Sequence, residues 1–314
     1  MNIIGRRKLW YSISLAIIVP GLIALAVWGL KPGIDFAGGQ VMEVKQAKNQ
    51  DEVKAIFVQA GVRDLTITSA GDGVVIARYR DAEGKSAVET NAEIKTKLAT
   101  IGAVEASFES VGPSVSRDIT RNAILAVGLA SVAIVVFMAI AFRNMPPPVS
   151  PWSFGMAAVI ALLHDTLVML GIFSILGHFF NIEIDSLFVT AVLTAIGFSV
   201  HDTIVVFDRI RENLKRYNYP FEVIVNDSIV ETLARSLSTS LTVIFTLLAL
   251  LIFGGETIRI FVFALLIGIF SGTFSSIFNA APLLVTWNNY KLKRAAKKAQ
   301  APKKPKSAKV KKVS

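Results

Sequence analysis

Residues 187–207 read LFVTAVLTAIGFSVHDTIVVF, from Leu187 to Phe207, and run directly into the charged string Asp208-Arg209-Ile210-Arg211-Glu212. A helix rises 1.5 Å per residue, so a stretch of this length crosses about 30 Å of hydrocarbon. Its one acid, Asp202, costs about 2.5–3.5 kcal/mol at a helix centre on insertion scales, so such a carboxylate faces a bundle interior or a wet cavity and acts there. Five more runs have the same character: Leu9 to Leu30, Asn122 to Phe142, Phe154 to Leu176, Ser236 to Phe253, and Arg259 to Trp287. The last is long enough to tilt or to continue past the bilayer. With 53% hydrophobic residues and a mean hydropathy of +0.56, the chain lies outside the soluble range. The expected fold class is an α-helical polytopic membrane protein with six transmembrane helices and one small α+β domain.

The first run follows Arg6, Arg7 and Lys8 and contains Ala24-Leu25-Ala26, features of a cleaved signal. It is too long for the apolar core of a signal, about 7–15 residues, and reads as an uncleaved span. The formal charge of +10 suggests nucleic acid until it is located. Eleven Lys and Arg and no acid lie between Lys291 and Ser314, which leaves 22 basic against 23 acidic residues elsewhere. Residues 291–314 therefore read as a disordered polybasic tail beside a membrane, holding the C-terminus inside. Anionic lipid or the ribosome is a second reading for the tail, and no specific nucleic-acid partner is expected. The chain has no cysteine, which excludes disulfides, thiol chemistry and Cys-ligated metals.

Basic residues favour the cytoplasmic side of short loops. The loop Arg143 to Pro151 and the segment 208–235, with Arg209, Arg211, Lys215 and Arg216, then lie inside, whereas Gly177 to Ser186 carries Glu183 and Asp185 and no base. Both termini are thus expected in the cytoplasm of a bacterial cell, behind its plasma (inner) membrane. The expected organisation is residues 1–30 as N-terminus and first span, 31–121 as the outer domain, 122–290 as five spans with a cytoplasmic loop at 208–235, and 291–314 as the tail.

In the outer segment, Val41 to Gln46 alternates as a strand and Asp51 to Ala60 has helical spacing. Leu65 to Ser69 and Val74 to Arg80 flank Gly71-Asp72-Gly73 as a hairpin, Lys85 to Thr100 reads as a helix, and Ala103 to Val111 as a strand. The order β-α-β-β-α-β is the ferredoxin-like one. No His cluster or phosphate-binding Gly loop stands there, so no catalytic residue, metal or cofactor is expected.

Inside the spans, His164-Asp165-Thr166 and His201-Asp202-Thr203 place two of the three histidines beside intramembrane carboxylates. A buried hydrogen-bonded pair that only orients helices is one reading, and a proton-carrying site is the sharper one. Arg235 opens the fifth run ahead of Ser236, Ser238, Thr239, Ser240 and Thr242, and the connection through 208–235 lets it approach Asp202. Gly268 and Gly272 have small-xxx-small spacing, with Ser275, Ser276 and Asn279 beyond. Pro220 to Leu233 is amphipathic and reads as a segment lying along the inner surface.

Four patches together resemble the SecF family of protein-export membrane proteins, in the resistance-nodulation-division superfamily. They are Gly33-Ile34-Asp35-Phe36-Ala37-Gly38-Gly39, Ala161-Leu162-Leu163-His164-Asp165, the long run Gly197 to Glu212, and Leu233-Ala234-Arg235-Ser236-Leu237-Ser238-Thr239-Ser240. The resemblance covers residues 1 to about 290. It implies a non-enzymatic subunit of a protein translocase that uses the proton motive force to assist preprotein export through SecYEG, together with a separate SecD-like subunit. The transport-linked Asp and Arg of the family fall on Asp202 and Arg235. Asp165 is then a relay or second acceptor, with His164, His201 and Thr203 beside the carboxylates. His201 occupies a variable position of the signature and inherits no role. Gly33, Gly38 and Gly39, with Asp35 and Phe36, are expected as a hinge because clustered glycines permit positive φ and close chain approach. A small-molecule or lipid exporter subunit of the same superfamily is the alternative. Such exporters usually carry twelve spans and larger outer domains, and the residues leave H⁺ or Na⁺ open as the coupling ion.

Overall fold

The computed structural model describes residues 1–300 apart from Lys48, Asp72 and Pro148. After a 3₁₀ turn at Ile4–Arg6, the first long helix α1 spans Arg7–Val27. A single turn, α2 (Ile34–Ala37), leads into the small domain: β1 (Gly39–Lys45), α3 (Gln50–Gln59), β2 (Arg63–Gly71), β3 (Val74–Arg80), α4 (Ala87–Thr100) and β4 (Val104–Val111). Then come α5 (Pro113–Ala141), α6 (Pro151–Phe180), α7 (Ser186–Arg216), α8 (Phe221–Phe253) and α9 (Glu256–Ser275). A π-turn at Ser276–Ala280 joins α9 to α10 (Ala281–Gln300). Six helical stretches among the described residues are long and apolar enough to cross a membrane, and the protein is a multi-pass membrane protein.

The α+β domain has a four-stranded antiparallel sheet of order β2-β3-β1-β4. Alternation decides its register: Met42 and Val44 on β1, and Val75, Ala77 and Tyr79 on β3, point to one face and are buried. Against that face α3 sets Val53, Ile56 and Phe57, and α4 sets Ile94 and Leu98. Each helix starts where a side chain satisfies its first free amides. The Asn49 side chain accepts from the Asp51 amide, and Ser86 with Glu89 forms a capping box. The hairpin residue Asp72 lies outside the described residues.

Four boundaries differ from the sequence reading. Helix α5 begins at Pro113, so the helix that carries the second span starts within residues 31–121; proline supplies a preset φ at a helix start and loses nothing there. The expected loop 208–235 is two helix ends, because α7 continues to Arg216 and α8 begins at Phe221. Pro220, which lacks an N–H and disfavours helix in the residue before it, confines the break to residues 217–220. The amphipathic stretch 220–233 is therefore the first part of α8 and not a separate surface helix. Its stripe of Phe221, Val225 and Ile229 joins the same core as Val206 and Ile210 of α7. Finally, α10 runs to Gln300, so residues 291–300 are helical where a disordered tail was expected, and 301–314 lie outside the described residues.

Glycines let two helix pairs approach to backbone contact. A Cβ on Gly171 of α6 would stand 2.6 Å from the Gly21 Cα of α1, and one on Gly272 of α9 would stand 2.7 Å from the Ser199 Cβ of α7. At the end away from the domain, Phe142, Phe154 and Phe207 pack ring to ring, with centroids 5.0–5.7 Å apart.

Candidate functional site

Asp165 lies in the middle of α6 and is 1% exposed. A carboxylate offers about four acceptor positions, and four donors face it. Ser199 of α7 donates at 2.5 Å, Ser271 and Ser275 of α9 at 2.7 Å each, and His164 Nδ1 stands at 2.9 Å. The imidazole continues outward, with Nε2 3.1 Å from Ser14 Oγ of α1. Ser14 Oγ in turn lies 2.8 Å from Asn279 Nδ2 and 3.1 Å from Asn279 Oδ1. One consistent assignment runs inward: Asn279 donates to Ser14, Ser14 to His164 Nε2, and His164 Nδ1–H to Asp165. Rotating the Ser14 hydroxyl towards Asn279 Oδ1 leaves Nε2 free to donate. The same heavy atoms thus accommodate both neutral and protonated His164. Ser14, His164 and Asn279 also line a cavity of about 370 Å³ whose walls are otherwise mostly apolar, among them Leu15, Ile18 and Leu167.

Asp202 of α7 is 5% exposed and accepts from Ser276. Consecutive residues on a helix are about 100° apart, so Ser275 and Ser276 reach carboxylates on two different neighbours, Asp165 on α6 and Asp202 on α7. Ser276 opens the π-turn that also carries Asn279. Such single wide turns concentrate at functional sites. Close packing makes these reaches possible, because Gly272 brings the α9 backbone against Ser199.

Not every expected partner is brought in. No Lys or Arg pairs with Asp165 or Asp202 among the described residues, and Arg235 does not meet Asp202. On α8 the buried stripe runs through Thr232, Ser236 and Ser240. Arg235 precedes Ser236 by one position, which rotates it off that stripe and leaves it exposed. The same rotation separates His201 from Asp202: His201 is on the exposed face of α7, outside the network, and Thr203 is buried. Ser14, Ser199 and Ser271 have no sequence signal of their own, since a hydroxyl in a span usually returns to its own helix, as Thr166 does to the Leu162 carbonyl at 2.9 Å.

The Gly33–Gly39 signature forms the junction between the domain and the bundle. Gly38 and Gly39 have φ of +70° and +127°, conformations that a side chain disfavours. Gly33 has an ordinary φ but approaches Ile184, whose carbonyl oxygen would be 3.0 Å from an added Cβ. Asp35 accepts from the Ser186 amide at 2.9 Å, and Phe36 and Gly38 line a cavity of about 510 Å³ below the sheet with Arg63, Arg80 and Arg117.

Comparison with known proteins agrees in extent and in kind. Residues 92–290 match the family model described as protein export membrane protein SecD/SecF, C-terminal. The protein translocase subunit SecF of Thermobaculum terrenum is 49% identical over 92% of this chain and 94% of its own length. The protein translocase subunit SecDF of Bacillus subtilis is 34% identical over 92% of this chain, which spans 38% of that longer protein. Among solved structures, a Thermus SecDF described as a translocon-associated membrane protein superimposes with a TM-score of 0.79 at 31% identity, covering 92% of this chain and 39% of that one.

Proposed function

This chain belongs to the SecD/SecF family of protein-export membrane proteins as a SecF subunit, and on that premise we propose that it converts proton entry at its buried carboxylates into work on an exported preprotein. As a SecF subunit it is an accessory component of the Sec translocase. A SecD-like partner completes the pair: the chain covers nearly all of one SecF relative and about two-fifths of a longer SecDF relative. In this reading the SecYEG channel and the emerging preprotein are the further partners, and the α+β domain lies outside the bacterial inner membrane with both termini in the cytoplasm. The split order β2-β3-β1-β4, with α3 and α4 in the crossovers, supports treating that domain as ferredoxin-like.

The observation that carries the reading is a pair of buried carboxylates held by hydroxyls and an imidazole, with no Lys or Arg paired to either among the described residues. A charge in an apolar bundle is expensive unless paired. Asp165 and Asp202 have hydroxyls and one imidazole in place of a guanidinium. Proton uptake removes that charge, so the helix packing that best accommodates the neutral forms gains population when protons arrive. His164 and Ser14, which line the cavity beside α1, give Asp165 a route for proton exchange, with Asn279 orienting the Ser14 hydroxyl. Arg235, exposed on α8, supplies a permanent positive charge on the face open to a second subunit.

The test is preprotein export driven by a proton gradient in membrane vesicles after ATP hydrolysis at the channel has been halted. Asp202→Asn, Asp165→Asn and Arg235→Met, each assembled with the SecD partner, are expected to lose the response. Full response in all three would sink the proposal.

A further inference from the structure

The buried network and the α+β domain share one mechanical element, the start of α7. This helix carries Ser199 and Asp202 inside the bundle. Its first amides need acceptors from outside the helix. Asp185 supplies an ordinary cap, accepting from the Phe188 amide at 2.8 Å. The Ser186 amide instead donates to Asp35 Oδ2 at 2.9 Å, across 151 residues of sequence. Four more ties surround that bond. Gly33 N donates to the Ile184 carbonyl at 2.8 Å and Ile184 N to the Lys31 carbonyl at 2.9 Å. Glu183 accepts from Arg78 of β3 at 2.9 Å and stands 3.5 Å from Lys31.

Two carboxylates share a single helix start, and the Asp185 carboxyl is pushed above the ordinary aspartate range by burial and by the charge of Asp35. The second carboxylate therefore costs stability through repulsion, although each alone suits the positive end of the helix dipole. What Asp35 adds is a connection: the chain runs from it through Phe36, Ala37 and Gly38 into β1 at Gly39, between β3 and β4 in the sheet.

We infer that Asp35 is a positioning residue that transmits displacement of α7 to the α+β domain, capping the helix in trans. The inference rests on the proton-coupled reading above. Because the chain has no cysteine, a spin-label pair at Glu52→Cys and Phe180→Cys can report the domain-to-bundle distance in the reconstituted complex with a Cys-free SecD partner. Infrared carboxyl bands of the same complex report protonation in the core, assigned by their loss in Asp165→Asn and Asp202→Asn. Between pH 8 and pH 5 the otherwise unsubstituted complex is expected to change both signals. Asp35→Ala is expected to keep the infrared change and lose at least half of the distance shift, with Asp35→Asn, whose amide oxygen still accepts, restoring most of it. A full distance shift in Asp35→Ala overturns the inference, even where thermal stability falls, because the residue is then only a cap. Absence of the infrared change without any substitution at Asp35 would overturn the proton reading itself, and this inference with it.

Discussion

Asp165 collects donors from two other helices, and its substitutions separate chemistry from packing. Asparagine keeps an acceptor oxygen and nearly the same volume, whereas alanine leaves Ser199, Ser271 and His164 facing nothing. An unsatisfied buried polar group costs about 1–3 kcal/mol. With three groups losing their acceptor, Asp165→Ala is therefore expected to lower stability by at least about that amount and Asp165→Asn by less, followed by tryptophan fluorescence during thermal unfolding in detergent. Ser275 softens the loss, since its hydroxyl also reaches the Gly272 carbonyl at 3.2 Å. Asp185 makes a second residue-level prediction. Its folded-state pKa is raised, so its contribution is fully present below the ordinary aspartate value and is lost as pH rises through the raised one. Asp185→Asn should flatten that part of the stability profile above the ordinary aspartate value and leave the variant relatively more stable at neutral pH. A difference curve between the two proteins that does not depend on pH would remove the burial argument.

At the level of elements, α7 and α9 approach because Gly272 has no side chain. Valine there would push on Ser199 Cβ and Cα, at 2.7 and 3.1 Å from the first added carbon, and overpacking of this kind costs about 1–3 kcal/mol. It would also draw the Ser199 hydroxyl away from Asp165, so Gly272→Val is expected to lose stability and proton-driven export together. Gly197 on α7 is the internal control: a Cβ there meets nothing within 4 Å. Gly197→Ala should be neutral or stabilising by up to about 1 kcal/mol, as alanine is in a helix interior. Equal losses from the two substitutions would mean that helix flexibility, and not the close seam, is what matters.

For the molecule as a whole, the two ends are built differently. At the end carrying the chain's N-terminus, Asn226 accepts from the Ile3 amide at 2.9 Å, Arg209 meets Glu231 at 2.5 Å, and Asn213 donates to Ser228 at 3.0 Å. Polar ties thus pin α7, α8 and the N-terminal turn together. At the other end, the glycine junction and the trans cap connect a separately cored domain. In the function proposed above, this asymmetry would serve as a fixed base and a jointed top. The orientation is testable with a membrane-impermeant thiol reagent. Arg80→Cys is expected to label in spheroplasts and Lys215→Cys only after permeabilisation, and the reverse pattern would invert the proposed topology.

Six spans, the β-α-β-β-α-β order and the presence of carboxylates inside the helix bundle at Asp165 and Asp202 are legible in the residues alone. Hydropathy, alternation and helix-start chemistry belong to consecutive residues, and each is strong enough locally to survive folding. The glycines of residues 33–39 announce unusual backbone for the same reason. What those carboxylates touch is another matter. A one-position change on a helix is a rotation of about 100°, enough to turn Arg235 and His201 away from Asp202 while sequence proximity suggested they would meet it. Ser14, Ser199 and Ser271 are indistinguishable in sequence from hydroxyls that bond to their own backbone. The Asp35 bond to Ser186 joins positions 151 residues apart. Only the packing of α1, α6, α7, α9 and the π-turn around Asp165 and Asp202, set by where glycine permits backbone contact, decides which donors they have, because hydrogen-bond partnership depends on phase and distance between elements and not on the order of residues within one.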